Sequence, residues 1–222
     1  MEQSKREYVL SIQSKLHEFN IDNVYYKLRK INSNKIILIT HLGLGDQIIL
    51  NGLVNYISDK FEKIILPVLS SNLKTIQFLY SENNAVDVVE YPKGQELDFI
   101  KDLSTYSGMD FLKIGFEKVR NKPFNLAFYS QLKLPYNYSF KYFHYPENKE
   151  IEVDLKEHLV DYYSSNSNEI ILVHNESSID VYDFDKVKIN NPIYVTKESD
   201  KYENLFYYSE IIKEAKEIHC LD

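Results

Sequence analysis

Residues 35–57, "KIILITHLGLGDQIILNGLVNYI", decide the fold, because a short apolar run leads through a glycine-rich turn into a longer apolar stretch. The isoleucine-rich run at the start predicts a buried β-strand. Gly43 and Gly45 permit positive φ angles and the close approach of a ligand to the backbone. A helix is predicted to begin at Asp46, its N-cap, and to run to about Lys60. The stretch therefore predicts a strand joined to a helix by a tight turn.

The alternation of strand-like and helical runs continues along the chain. Apolar, β-rich segments separated by amphipathic helices indicate βαβ units and a parallel sheet covered on both faces. Helices are predicted near 71–80 and 154–164, between such segments. The further strand-like runs are 63–68, 85–91, 109–115, 169–175, 192–198 and 217–222.

The predicted fold class is α/β, with two Rossmann-like units and an N-terminal helical extension over residues 1–34. Residues 35–150 are assigned to the first unit and residues 151–222 to a second, smaller one. The second is expected to be incomplete, because it stops at a strand end, where α/β sheets place ligand loops. Between about 116 and 150 the alternation is interrupted by a stretch rich in aromatic residues and proline. Loops whose rings cover the core edge are expected there, with a platform for a sugar or nucleobase as the alternative.

Composition excludes several classes of protein. The chain has 222 residues, of which 44% are hydrophobic and 27% charged, a balance typical of folded globular domains. Its net charge is −7 and no basic stripe is visible, which argues against a nucleic-acid partner. The single cysteine, Cys220, excludes an intrachain disulfide and a cysteine-cluster zinc site. No transmembrane segment or signal-peptide pattern is visible, so a cytoplasmic location is expected.

The glycine turn carries the first candidate site. His41 is placed at the carboxyl end of the first strand, and Asp46 at the start of the following helix. The free amides and positive end of that helix would face any ligand in the crevice. The turn lacks the third glycine and the acidic partner of a dinucleotide fingerprint, and also the lysine of a P-loop. The alternative is a structural turn in which Asp46 is only a cap.

Residues 41–52, "HLGLGDQIILNG", resemble the N-terminal turn of GT-B glycosyltransferases of the ADP-heptose:lipopolysaccharide heptosyltransferase type, in which a glycine-aspartate pair opens the first helix. The resemblance implies a transferase that moves a sugar from a nucleotide-sugar donor to a glycan or other hydroxyl acceptor, without a metal or other cofactor. It implies that the acceptor binds the first unit and the donor the second, across a cleft. Asp46 is then the candidate general base, with His41 as the other candidate. The predicted substrate-binding residues here are Gly43, Gly45, Gln47 and Asn51.

A second candidate site follows the predicted strand at 169–175. The sequence "ILVHNESS", residues 171–178, places polar side chains at the carboxyl end of a buried strand, where α/β sheets bind ligands. These residues are predicted to contact the nucleotide or the transferred sugar, with a polar surface turn as the alternative. They are His174, Asn175, Glu176, Ser177 and Ser178. No metal site is predicted, because the histidines near the strand ends have no paired spacing.

Two other functions remain open from the sequence. The incomplete appearance of the second unit and the helix before the first strand favour a non-catalytic nucleotide- or sugar-binding module of a larger protein, whose active site would be completed elsewhere. Another small α/β enzyme, such as an epimerase or a reductase, is a further alternative. The incomplete dinucleotide fingerprint counts against that alternative.

Overall fold

The computed structural model describes residues 33–40, 43–95, 98, 99, 102, 109–115, 123–165, 169–176, 181, 182 and 189–220. The chain divides into two compact units between Pro146 and Glu147. Each unit contains a parallel sheet, which confirms the predicted α/β class. The predicted N-terminal extension lies outside the described residues, except for its last two positions.

The first unit holds a four-stranded parallel sheet in the order β3-β2-β1-β4. Its strands are β1 (Lys35–Ile39), β2 (Lys63–Leu69), β3 (Val86–Tyr91) and β4 (Asp110–Lys113). In register, Ile36 lies beside Ile64, and Ile39 lies beside Lys113. The side chains from Ile36 to Ile39 are all buried, as a central strand of a sheet covered on both faces requires.

The strand order of this sheet reverses beside β1. From β1 the chain moves to β2 and then to β3, and it returns to β4 on the other side of β1. Open α/β sheets bind ligands outside the carboxyl ends of their strands at such a reversal. The carboxyl ends of β1 and β4 therefore lie where this fold class places a ligand site.

The α-helices and the 3₁₀ turn that the structure describes beside the first sheet are α1 (Leu44–Ser58), the 3₁₀ turn Ser70–Asn72, α2 (Leu73–Leu79), α3 (Phe124–Gln131) and α4 (Tyr138–Lys141). Both α3 and α4 pack against α1. Gly52 permits the close approach of α4, because a Cβ atom at that position would lie 2.5 Å from the Tyr138 carbonyl oxygen.

The prediction of loops between about 116 and 150 is wrong for the part occupied by α3 and α4. Pro123 directly precedes α3, where a missing backbone N–H does not weaken the helix. Phe128 and Tyr129 are fully buried, and the Tyr129 hydroxyl donates to the Ile49 carbonyl at 2.9 Å. Tertiary packing on α1 thus stabilises short helices that the prolines and aromatic residues do not favour locally.

The second unit is a smaller α/β unit with the strand order β6-β5-β7, all parallel. Its elements are α5 (Lys149–Tyr162), β5 (Ile171–His174), β6 (Ile193–Tyr194), a 3₁₀ turn (Leu205–Tyr208), α6 (Ser209–Glu214) and β7 (Glu217–Cys220). Strands β5 and β6 are shorter than predicted, whereas the last two residues of the predicted strand 217–222 lie outside the described residues. The core is formed by Leu155, Leu159, Ile170, Leu172, Ile193, Tyr208 and Ile211.

A network of polar contacts secures the start of α5. The Asn148 side chain accepts a hydrogen bond from the Ile151 backbone N–H at 3.3 Å, and the Asn148 N–H donates to the Glu152 carboxylate at 3.0 Å. Lys149 lies 3.4 Å from Glu152 and 3.0 Å from Glu210 of α6. Asn148 and Glu152 therefore each satisfy a backbone N–H at the start of α5, and Lys149 joins this helix start to α6.

Across the part of the chain that the structure describes, no helix has both the length and the apolar character needed to cross a bilayer.

Candidate functional site

The turn after β1 ends at Gly43, which is the N-cap of α1. Its φ and ψ angles are −71° and 143°, so the backbone here is extended and does not use the positive φ that glycine permits. The Gly43 carbonyl accepts from the Gln47 N–H at 3.2 Å and closes the first helical turn. The prediction that Asp46 is the N-cap is wrong, because α1 begins at Leu44 and Asp46 is its third residue.

The Asp46 carboxylate folds back toward the N-cap. A Cβ atom at Gly43 would lie 2.8 Å from Asp46 Oδ2, so glycine leaves the space that this carboxylate uses. A negative charge in the first turn of a helix is stabilised by the free N–H groups and the helix dipole. Asp46 is partly exposed, and a Cβ atom at Gly45 would meet nothing within 4 Å. Asp46 and Gly45 are thus accessible to a ligand.

Gln47 links the same turn to the sheet. Its side chain is 2% exposed, and its Nε2 donates to the Thr40 hydroxyl at the end of β1. Thr40 is also buried. Gln47 therefore holds the start of α1 against the carboxyl end of β1. Its side chain is buried and does not lie on an open surface.

Asn51, one turn further along α1, is fully buried. Its Oδ1 accepts from the His144 backbone N–H at 2.8 Å and from Asn55 Nδ2 at 3.1 Å. The Tyr80 hydroxyl faces the same amide, and burial raises the pKa of that phenol so that it stays neutral. Asn51 thereby attaches the segment after α4 to α1. A ligand would have to displace this arrangement to touch the side chain.

Lys113 is a residue of this region that the sequence reasoning missed. It ends β4, lies in register beside Ile39 of β1, and is only 2% exposed. Two residues later the Gln131 side chain of α3 holds both backbone groups of Gly115, at 2.8 and 3.3 Å. Gly115 has a φ of 91°, a conformation that glycine adopts without strain. The signal available in the sequence was a lysine at the last position of an apolar strand.

The carboxyl end of β5 carries the second predicted site. His174 is exposed and lies in register beside Cys220. Asn175 Nδ2 donates to the Tyr182 carbonyl at 3.0 Å, and the Tyr182 N–H donates to the Asn175 carbonyl at 2.8 Å. Glu176 forms an antiparallel bridge with Val181. After β5, Asn175 and Glu176 therefore pair in antiparallel fashion with Tyr182 and Val181. His174 lies directly before this pairing.

Three predicted site residues lie outside the described residues, namely His41, Ser177 and Ser178. The described part of the first site comprises Gly43, Gly45, Asp46, Gln47 and Asn51, all on or next to the first two turns of α1. Among the residues that the structure describes, no group of three or more His, Cys, Asp or Glu side chains is arranged to hold a metal ion.

An open depression of about 620 Å³ lies elsewhere in the first unit, along β2 and β3. It reaches the amino ends of these strands, at Lys63 and Val86. The Lys63 ammonium contacts the Asp87 carboxylate at 2.9 Å, so this pair partly neutralises its own charges. Because parallel sheets bind ligands at the opposite, carboxyl ends, we do not assign the site to this depression.

Comparisons of the chain with protein-family models, with curated proteins and with solved structures found no match. The resemblance of residues 41–52 to GT-B glycosyltransferases therefore stays a prediction.

Proposed function

We propose that this chain is a glycosyltransferase of the GT-B type, which moves a sugar from a nucleotide-sugar donor to an acceptor hydroxyl. The observation that carries the proposal is the position of Asp46. Its carboxylate is in the first turn of α1, beside the carboxyl end of β1, at the reversal of strand order. A partly exposed carboxylate at this point of an α/β sheet is suited to receive a proton from a bound hydroxyl.

The proposed reaction is a substitution at the anomeric carbon of the donor sugar. Asp46 takes the proton of the acceptor hydroxyl as its oxygen forms the new bond to the anomeric carbon. The bond between that carbon and the diphosphate oxygen breaks, and the electron pair leaves with the nucleoside diphosphate. Hydrogen-bond donors on the donor side stabilise the departing charge, and His174 at the end of β5 is the candidate side chain in the second unit.

The residues around α1 divide into two roles in this proposal. Gly45 and Asp46 are open to the acceptor, whereas Gln47 and Asn51 position the helix through buried hydrogen bonds. Lys113 lies at the end of the neighbouring strand, beside Ile39. The GT-B arrangement of the two units is part of the proposal.

A thermal-shift screen of the full chain tests the donor class. We expect UDP, GDP or ADP, or one of their sugar derivatives, to raise the melting temperature, because a ligand that binds the folded state stabilises it. Release of the nucleoside diphosphate from the stabilising sugar derivative then measures turnover. Stabilisation by NAD or NADP alone would contradict the proposal and favour a reductase. Binding of a nucleotide sugar without any release, with pooled acceptors present, would favour the non-catalytic binding module.

A further inference from the structure

Large apolar side chains are exposed together on α3, α4 and the residues that follow α4. Phe140 is 72% exposed and Phe124 53%, while Leu126 and Phe143 are each 38% exposed. We call these four residues, with Lys133 and Lys141, the aromatic surface. Exposed phenylalanines concentrated on one segment indicate an interaction site, because single exposed apolar residues are usually scattered.

The aromatic surface is connected across the two helices by Tyr136. The rings of Tyr136 and Phe140 pack edge to face with their centroids 5.5 Å apart. The Tyr136 hydroxyl accepts from the Asn125 side chain at 2.9 Å, directly beside Phe124. Phe143 follows Phe140 by three residues, and its N–H donates to the Phe140 carbonyl at 3.4 Å. The Phe140 ring and the Asn125 side chain together fix the position of Tyr136. The exposed rings next to Tyr136 therefore rest on a well-packed side chain.

The charge of this segment is opposite to that of the whole chain. Residues 118–146 contain no Asp or Glu, although the chain has 33 acidic residues and a net charge of −7. Lys133 and Lys141 are both exposed, and the Lys141 ammonium lies 5.1 Å from the centroid of the Tyr142 ring. At the end of the segment, the Glu82 carboxylate lies 2.8 Å from His144. The segment that carries the aromatic surface therefore combines exposed apolar side chains with exposed lysines and has no acidic residue of its own.

We propose that the aromatic surface docks this protein on an anionic lipid surface. Phenylalanine rings partition into the boundary between headgroups and acyl chains, and lysines beside them reach the negatively charged headgroups. An acid-free stretch removes the repulsion that the rest of this acidic chain would experience at such a surface. The proposal is independent of the reaction assigned to α1.

Sedimentation of the full chain with lipid vesicles tests this inference. We expect binding to vesicles of phosphatidylcholine mixed with phosphatidylglycerol, weak or no binding to phosphatidylcholine alone, and a decrease with added salt. Phe140→Ser should lower the partition coefficient about tenfold or more, from the apolar area that one phenylalanine buries. Lys141→Glu should lower it by roughly tenfold, because it reverses a charge near the lipid surface.

Ile212→Ser is the matched control, because Ile212 is also exposed, at 45%, but lies on α6 of the second unit. It should bind like the wild type. Phe140→Ser should keep the wild-type melting temperature, since the ring is largely in solvent. Absence of binding to the mixed vesicles, or equal binding by the three variants and the wild type, would overturn the proposal. It would also be overturned if the wild type were a dimer by analytical ultracentrifugation and Phe140→Ser a monomer, since the surface would then bind a second copy.

Discussion

The Asp46 carboxylate owes its position to the residue three places before it. Gly43 has no side chain, and the space is used by Asp46 Oδ2. Partial exposure leaves the Asp46 side chain open to a substrate. An accessible carboxylate is what a general base for hydroxyl groups requires.

Glu152 illustrates a different role for a carboxylate at a helix start. Its side chain is 1% exposed. Burial raises its pKa, but the nearby Ser209 hydroxyl, the hydrogen bond from the Asn148 N–H and the Lys149 ammonium outweigh burial and hold the pKa below its usual value. Because its pKa is lower in the folded state, the ionised form stabilises the fold above the unfolded pKa of about 4.3. This contribution is lost as the pH falls through the lowered pKa.

We therefore predict that Glu152→Gln lowers the free energy of unfolding by about 1–3 kcal/mol at neutral pH, because it removes a charged acceptor from a buried network. The difference from the wild type should narrow as the pH falls below about 4. Denaturant titrations at neutral pH and below about pH 4 measure this difference in the free energy of unfolding. Glu214→Gln, which removes a more exposed ion pair with Lys156, should cost less than about 1 kcal/mol. Equal losses in the two variants would show that the buried network adds nothing.

At the scale of elements, the contact between α1 and α4 depends on Gly52. A Cβ atom there would lie 2.5 Å from the Tyr138 carbonyl oxygen and 2.9 Å from Ser139 Cα. Both contacts are with backbone, so α4 itself would have to move.

Gly52→Ala should therefore destabilise the protein by about 1–3 kcal/mol through overpacking, although alanine favours a helix over glycine. Gly45→Ala is the matched control in the same helix, because a Cβ atom there meets nothing within 4 Å. It should be neutral or stabilising by up to about 1 kcal/mol. Thermal unfolding of both variants measures the difference. A similar melting temperature for the two would contradict close packing of α4 on α1.

The elements also show what the sequence can predict. The strand–helix alternation is visible in local apolar patterns, so the α/β class and most strand positions of the first unit follow from it. Helix α1 begins two residues before the predicted start, because Gly43, with its extended backbone, is the N-cap. The sequence pattern alone does not distinguish an aspartate at the N-cap from one inside the first turn. Helices α3 and α4 depend on packing against α1, which no local pattern contains.

At the scale of the whole molecule, the candidate site depends on strand order. Polar residues that follow strands, such as Asp46 at the start of α1 and His174 at the end of β5, are recognisable from the sequence because strands and helices alternate. That β4 lies beside β1 is a long-range property, and it alone brings Lys113 next to the turn after β1. Lys113 was missed for this reason.

The most direct test of the proposed function is the turnover of Asp46→Asn, once the screen has identified a donor. Asparagine keeps the size of the side chain but cannot accept the proton. We expect nucleoside diphosphate release to fall by roughly a hundredfold or more. Loss of a charge in the first helical turn should cost only about 0.3–1 kcal/mol of stability. Asp59→Asn, at the C-cap of the same helix, should retain wild-type turnover. An Asp46→Asn protein that releases the nucleoside diphosphate at the wild-type rate would contradict the assignment of Asp46 as the base.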